Sequence, residues 1–352
     1  MSKTHVSSDR RPTRKDVAAL AKVSGTTVSR VLGGRADESI SPTARDRVLH
    51  AARELGYAPN PAAKALRSGR TGLISFWMCL EFSLYRSRVL AEMRGLLAQS
   101  EFALAVTDVD EDYVWHHSFD RALRVPAEGI IAFDASTAGH VFAQNSERLA
   151  PNLPFVSMGA FWAESKSYVG VDLKAGAIDA TRHLIETGRR NIVYVVPRNT
   201  MFVDFGDRYD GYIEAMREAG LPIRTLTVLD TPDQRLASLF ETLEACRLDG
   251  SLPDALVCFY DDIAVDAVLA LERMGLRAGQ DVALVGFNGT DGLDRGPCPI
   301  TTVRQPIERM CALALEYLRA QIDDPSAPIG QTILKPELIV RASSAGLYAE
   351  GV

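Results

Sequence analysis

Residues 24–30, Ser24-Gly25-Thr26-Thr27-Val28-Ser29-Arg30, set four hydroxyls and one guanidinium within two helical turns. A guanidinium can meet the O6/N7 edge of guanine with two hydrogen bonds, and a threonine methyl can pack on the methyl of thymine. Hydroxyls near a helix N-terminus suit phosphate oxygens instead. Arg30 and Thr26 are therefore candidates for base edges, and Thr13, Ser24 and Thr27 for phosphates. Gly25 and Ser29 complete the same outward face. The alternative reading is a three-helix packing unit with a solvated arginine.

The elements that must position these groups are written in the flanking residues. Thr13 and Asp16, three apart, form a capping box that opens a helix whose apolar face is Val17, Ala18, Leu20 and Ala21. After a turn at Lys22 and Val23, Ser24 caps a second helix that turns Val28, Val31 and Leu32 inward. A third is capped by Ser41, opened by Pro42 and closed by Gly56, with Val48, Leu49, Ala52 and Leu55 facing the core. This spacing predicts a helix-turn-helix, which lays its second helix in the major groove of DNA.

Charge supports that partner. Residues 1–70 hold 14 Lys and Arg against 6 Asp and Glu, a net of +8. The remaining chain holds 25 against 39, a net of −14, so the overall −6 conceals a basic head on an acidic body.

From Thr71 onward short apolar runs alternate with helical stretches. Strands are expected at 73–77, 102–106, 129–133, 154–158, 192–196, 226–229, 255–260 and 282–287. Continuous apolar strands separated by helices predict parallel sheets covered on both faces, and about 275 residues predict two α/β lobes. Such lobes bind ligands beyond the carboxyl ends of their strands. Residues placed there include Trp77, Met78, Tyr85, Asp134, Phe161, Trp162, Arg208, Asp261, Asp262 and Asn288. Asp262 could equally cap a helix, Phe76 or Trp77 could be core, and Arg208 could pair with Asp204 or Asp207.

The runs Asp16-Val17-Ala18, Thr27-Val28-Ser29-Arg30-Val31, Gly56-Tyr57-Ala58-Pro59-Asn60, Arg208-Tyr209-Asp210-Gly211-Tyr212, Val285-Gly286-Phe287 and Thr301-Thr302-Val303-Arg304-Gln305-Pro306 resemble those of the lac repressor family of bacterial transcription regulators. The resemblance spans nearly the whole chain. It implies an N-terminal all-α helix-turn-helix domain with a hinge helix, then a two-lobed α/β, periplasmic-binding-protein-like effector domain with parallel sheets. The expected boundaries are a basic tail at 1–12, the reading head at 13–58, a hinge at 59–70, the effector and dimerisation domain at 71–345 and a tail at 346–352. Within the effector domain, one lobe is expected at 71–168 plus 300–323 and the other at 169–299 plus 324–345.

The resemblance also implies roles. The hinge, too short to be a stable helix alone, would fold on the operator and wedge Leu66 into the minor groove, with Asn60, Ala63, Lys64 and Arg67 also at the DNA; the alternative is a plain linker. Arg208 matches the arginine that grips the effector. Asp261 stands where the family usually has asparagine, and Asn288 where it usually has aspartate. Tyr85, Asp134, Arg208, Asp261 and Asn288 are the expected effector contacts.

The expected protein is a cytoplasmic homodimer, with a tetramer left open, that represses from a near-palindromic double-stranded operator under control of a small molecule. A carbohydrate leads as effector and a purine or nucleoside follows; an α/β enzyme with a DNA-binding appendage is the rival class. The sequence carries no nucleotide-binding glycine motif, hydrolase elbow or zinc-protease motif, so no catalytic residues, cofactor or metal are expected. Five cysteines without paired spacing suit reduced thiols, and no stretch approaches the ~20 apolar residues of a membrane span.

Overall fold

The computed structural model describes residues 12–33, 40–58, 65, 70–80, 83–109, 120–134, 142, 144–146, 148, 150–159, 165–198, 206–229, 231–296 and 298–345. The hinge residues Asn60, Ala63, Lys64, Leu66 and Arg67, the terminal tails, and Phe161 and Trp162 of the expected cleft lie outside this set. The chain divides into two compact units, 1–72 and 73–352.

The first unit holds α1 (Arg14–Ala21), α2 (Gly25–Leu32) and α3 (Pro42–Glu54). The Asp16 carboxylate accepts from both the N–H and the hydroxyl of Thr13, at 2.7 Å each, which fixes the start of α1. Lys22 ends it in the left-handed conformation (φ 52°), and that residue makes the tight turn into α2. Ser24 Oγ then accepts the Thr27 N–H at 3.0 Å. The small core comprises Val17, Ala21, Val28, Val31, Val48, Ala51 and Ala52. Leu20, expected on the inner face, is instead 44% exposed, because α1 turns Val17 and Ala21 toward its neighbours and leaves Leu20 on the flank.

The second unit contains two six-stranded sheets. The first takes β1 (Leu73–Met78), β2 (Ala103–Asp108), β3 (Gly129–Phe133), β4 (Phe155–Gly159) and β5 (Ser167–Val171). Along the chain, α4 (Leu84–Ala98) and α5 (Asp120–Leu123) interrupt these strands. The second lobe follows with α6 (Leu173–Glu186), β6 (Ile192–Pro197), α7 (Gly206–Glu218), β7 (Thr225–Val228), α8 (Pro232–Leu248), β8 (Ala255–Cys258), α9 (Asp261–Arg273), β9 (Ala283–Asn288) and β10 (Thr301–Arg304). The chain ends with α10 (Ile307–Asp323), β11 (Gln331–Leu334), β12 (Glu337–Ile339) and α11 (Ala342–Ala345). Sheet orders are β11-β5-β4-β3-β1-β2 and β12-β10-β9-β8-β6-β7, all parallel except β12 against β10.

The lobes share their C-terminal strands differently from the expected division. β10 belongs to the second sheet although 300–323 was assigned to the first lobe, and only α10 of that segment packs on β3, β4 and β5. β11 returns to the first sheet beside β5, and β12 goes back to the second. The chain thus crosses between lobes three times, after β5, β10 and β11. Trp77 and Met78, placed in the cleft by sequence, are buried core. Trp77 points away from Phe76, donates Nε1–H to Ser75 Oγ at 3.1 Å, and packs edge-on against Phe142 and Phe155.

The Arg208–Tyr212 motif has a packing origin. A Cβ on Gly211 would lie 2.4 Å from the Lys174 carbonyl oxygen and 2.9 Å from Ala177 Cβ, so only glycine lets α7 lie this close to α6. At the next residue, the buried Tyr212 hydroxyl bonds Ile192 O and the backbone of Arg224, pinning α7 to β6 and β7. Gly211→Ala gains about 1 kcal/mol of helix propensity, but overpacking against a backbone oxygen costs roughly 1–3 kcal/mol. The expected outcome is a lower midpoint in urea denaturation; an unchanged or higher midpoint would show that α7 shifts freely.

Candidate functional sites in the head and the cleft

In the head, α2 presents the residues that could meet DNA. Thr26 and Arg30 are exposed, and Gly25, Thr27 and Ser29 are half-buried. Ser24 and Thr27 share a hydrogen bond between their hydroxyls at 2.9 Å, which holds both at the helix N-terminus. Ser29 accepts a hydrogen bond from Arg14 Nη1 at 3.0 Å, a partner that the sequence reading missed.

In the body, Gly211 and Tyr212 aim Arg208 at the C-terminal ends of β8 and β9. Its guanidinium carbon lies 4.8 Å from the ring centroid of Phe259 and 4.8 Å from that of Phe287. Two aromatic faces offset part of the cost of burying that charge. Arg208 Nη2 donates to Asn288 Oδ1 at 3.2 Å, and Gln305 Nε2 donates to the same oxygen at 2.9 Å. Asn288 holds φ at 108°, a strained conformation for a residue with a side chain.

Four buried polar atoms in this neighbourhood have no hydrogen-bond partner among the described residues: Arg208 Nε, Gln305 Oε1, Tyr85 Oη and Tyr194 Oη. Each such atom costs roughly 1–3 kcal/mol while unpaired, and a polar ligand that bonds to them would recover that cost. Burial pushes the Tyr85 phenol well above its usual range; the charge of Asp134 adds to the rise, and Arg208 opposes it. Burial also raises Tyr194, again with Arg208 opposing. Tyr85 thus lies within electrostatic reach of Asp134 and Arg208, and Tyr194 within reach of Arg208. Tyr85 comes from α4 and Asp134 follows β3, so the group draws on both lobes. Gln305, Tyr194, Phe259 and Phe287 escaped the sequence reading because strand-end position alone does not distinguish a buried polar group from core.

Asp134 and Gly159 share one corner at the ends of β3 and β4. Gly159 adopts φ +102°, and a Cβ there would lie 2.2 Å from Asp134 Oδ1. The Asp134 carboxylate fills the space a side chain at 159 would need.

Asp261, expected to meet the effector, is engaged elsewhere. It is 1% exposed. Its Oδ2 accepts the Thr290 N–H at 2.7 Å and the Thr290 hydroxyl at 3.0 Å, and its Oδ1 accepts the Thr302 hydroxyl at 2.6 Å. It therefore ties the loop after β9 to β10 and supports Asn288 from behind. Asp262 sits in the first turn of α9, its carboxyl raised by burial and lowered by nearby Arg235.

Residues 13–60 match the model of bacterial regulatory proteins, lacI family, and residues 181–344 match a periplasmic binding protein-like domain. The chain joins a head similar to the lacI family to a periplasmic binding protein-like domain. The HTH-type transcriptional repressor PurR of Glaesserella parasuis serovar 5 (strain SH0165) is 28% identical over 346 residues, covering 95% of this chain and 99% of that one. The ribose operon repressor of Haemophilus influenzae is 25% identical, covering 94% and 98%. A crystal structure of the lac repressor dimer bound to operator and the anti-inducer ONPF shares the fold, with TM-score 0.77, 21% identity and coverage of 96% and 100%. The chain is a DNA-binding transcriptional regulator with an effector-binding domain. Among the described residues no helix is long and apolar enough to cross a membrane, and no acidic, His or Cys cluster could hold a metal ion.

Asp261 carries a pH signature. Burial pushes its carboxyl up to about 6 from an ordinary 3.8, against the three hydrogen bonds that lower it. The folded state therefore holds this proton more tightly than the unfolded chain. The stability so gained is present below about pH 4 and lost as pH rises through about 6, on the order of 3 kcal/mol in all. In Asp261→Asn, the amide can donate to Thr302 Oγ1 while its oxygen still accepts from Thr290. The variant is expected to fold with a flatter stability profile across that window in urea titrations. A wild-type slope in the variant would remove Asp261 as the source.

Proposed function

We propose that this chain is a repressor that binds a near-palindromic operator as a homodimer in the cytoplasm and responds to a sugar or sugar derivative held between its lobes. The unpaired buried atoms of Arg208, Gln305, Tyr85 and Tyr194 carry the effector assignment. They offer convergent donors and acceptors beside the Asp134 carboxylate and two aromatic rings, which suits a compact ligand dense in hydroxyls. The likeness to a ribose operon repressor agrees with that class. The ligand binds without being turned over, as befits relatives named as repressors.

A dimer fits the two-fold symmetry of such operators. The exposed Leu84, Val265 and Leu269 line one apolar pocket between α4 and α9 and offer a surface for a second copy. Regulation follows by linkage. A ligand that touches Arg208 from one lobe and Tyr85 and Asp134 from the other favours one lobe arrangement, and so shifts the population able to hold DNA. Residues 59–70 are the proposed hinge through which that shift reaches residues 13–58.

Arg208→Ala separates the two activities. Titration calorimetry against a panel of pentoses, hexoses and sugar acids is expected to find a ligand for the wild type and at least a tenfold weaker affinity, about 1.4 kcal/mol, in the variant. Operator affinity without ligand should be unchanged. Full effector affinity in Arg208→Ala would overturn the cleft assignment.

A further inference from the structure

We propose that Arg14, from α1, reads a guanine in the operator and stands in for the side chain that α2 lacks at Gly25. The proposal rests on α2 being the helix that enters the major groove.

The first turn of α2 is unusually bare. Gly25 has no side chain, and Gly25 and Ser29, four residues apart, lie one above the other on the same helix face. Arg14 occupies that face. Its Nη1 donates to Ser29 Oγ at 3.0 Å, and a Cβ built on Gly25 would be 3.5 Å from Arg14 Nε and 4.0 Å from its Cζ. The guanidinium thus fills the room that a side chain at 25 would take, while Arg14 itself is exposed. Among the described residues no carboxylate pairs with it.

A guanidinium has five N–H donors, and Ser29 uses one. The remaining donors include an intact fork of the kind that matches guanine O6 and N7. The tether matters because it holds an otherwise flexible side chain across α2, where a base edge would lie. Ser24 and Thr27, at the helix end, are better placed for phosphates. Because Ser29 Oγ accepts from Arg14, its own hydroxyl proton is left to donate outward, so the pair presents a defined pattern of donors.

The test is selection of duplexes from a randomised library by the full chain, comparing wild type with Arg14→Ala, Arg14→Lys, Ser29→Ala and Arg30→Ala, each checked for folding by far-UV circular dichroism. Arg14→Ala is expected to lose the guanine preference at one half-site position distinct from the one relaxed in Arg30→Ala. Its affinity for the selected operator should fall roughly tenfold, with little change on unselected DNA. Arg14→Lys, which keeps the charge without the fork, should lose the same preference, and Ser29→Ala should weaken it. A phosphate contact would behave otherwise: Arg14→Ala would bind every duplex more weakly, the slope of log affinity against log salt would shrink by about 1, and Arg14→Lys would restore it. That result overturns the proposal, as does unchanged selectivity in Arg14→Ala when Arg30→Ala has lost a base. A wild-type chain without any sequence preference overturns both this proposal and the reading of α2.

Discussion

Partly burying the guanidinium of Arg208, whose Nε is fully enclosed, is the constraint around which the cleft is organised. A buried cation is costly unless compensated, and here the compensation comes from Phe259, Phe287 and the amide oxygen of Asn288. None of these is an anion. They hold the charge in place without neutralising it, and Arg208 opposes the rise that burial causes in Tyr85 and Tyr194. The surrounding devices serve that placement. Gly211 lets α7 approach α6, Tyr212 anchors the helix, and Gln305 and Asp261 hold the strained end of β9 from two sides.

Local chemistry made the head legible in the sequence. Thr13, Asp16, Ser24, Ser41 and Pro42 are helix signals that act within three or four residues, and each lies at the start of its helix. The strands of both sheets from β1 to β9 were mostly visible as apolar runs. β5, β10, β11 and β12 were missed: three to five residues leave little periodicity, and β11 is half-exposed throughout. What joins the lobes was therefore the least readable part. The cleft was legible where a motif carried it, as at Arg208. It was illegible where burial decided the role, and Trp77, Asp261 and Gln305 show this in three ways. A strand aromatic faces the outer core, a carboxylate is consumed by two threonines, and a glutamine in a familiar motif donates its amide N–H to Asn288.

The three crossings between lobes bear on regulation. Gln305 lies in one of them, directly after β10, and its side chain bonds Asn288 while its backbone N–H reaches the Asn288 carbonyl. A group that meets Asn288 therefore acts within one residue of a joint. Arg88 of α4 adds a second connection, pairing with Asp291 of the second lobe at 2.8 Å and with Glu308 at 2.7 Å. Exposed ion pairs of this kind are worth little individually.

The corner shared by Asp134 and Gly159 has a consequence for divergence. Any larger residue at 159 would collide with the acid at 134 and also strain a backbone held at φ +102°. Removing the acid relieves only the first of these two obstacles. Acidity in this corner is thereby assigned to the end of β3, and the end of β4 is kept as glycine by its own backbone.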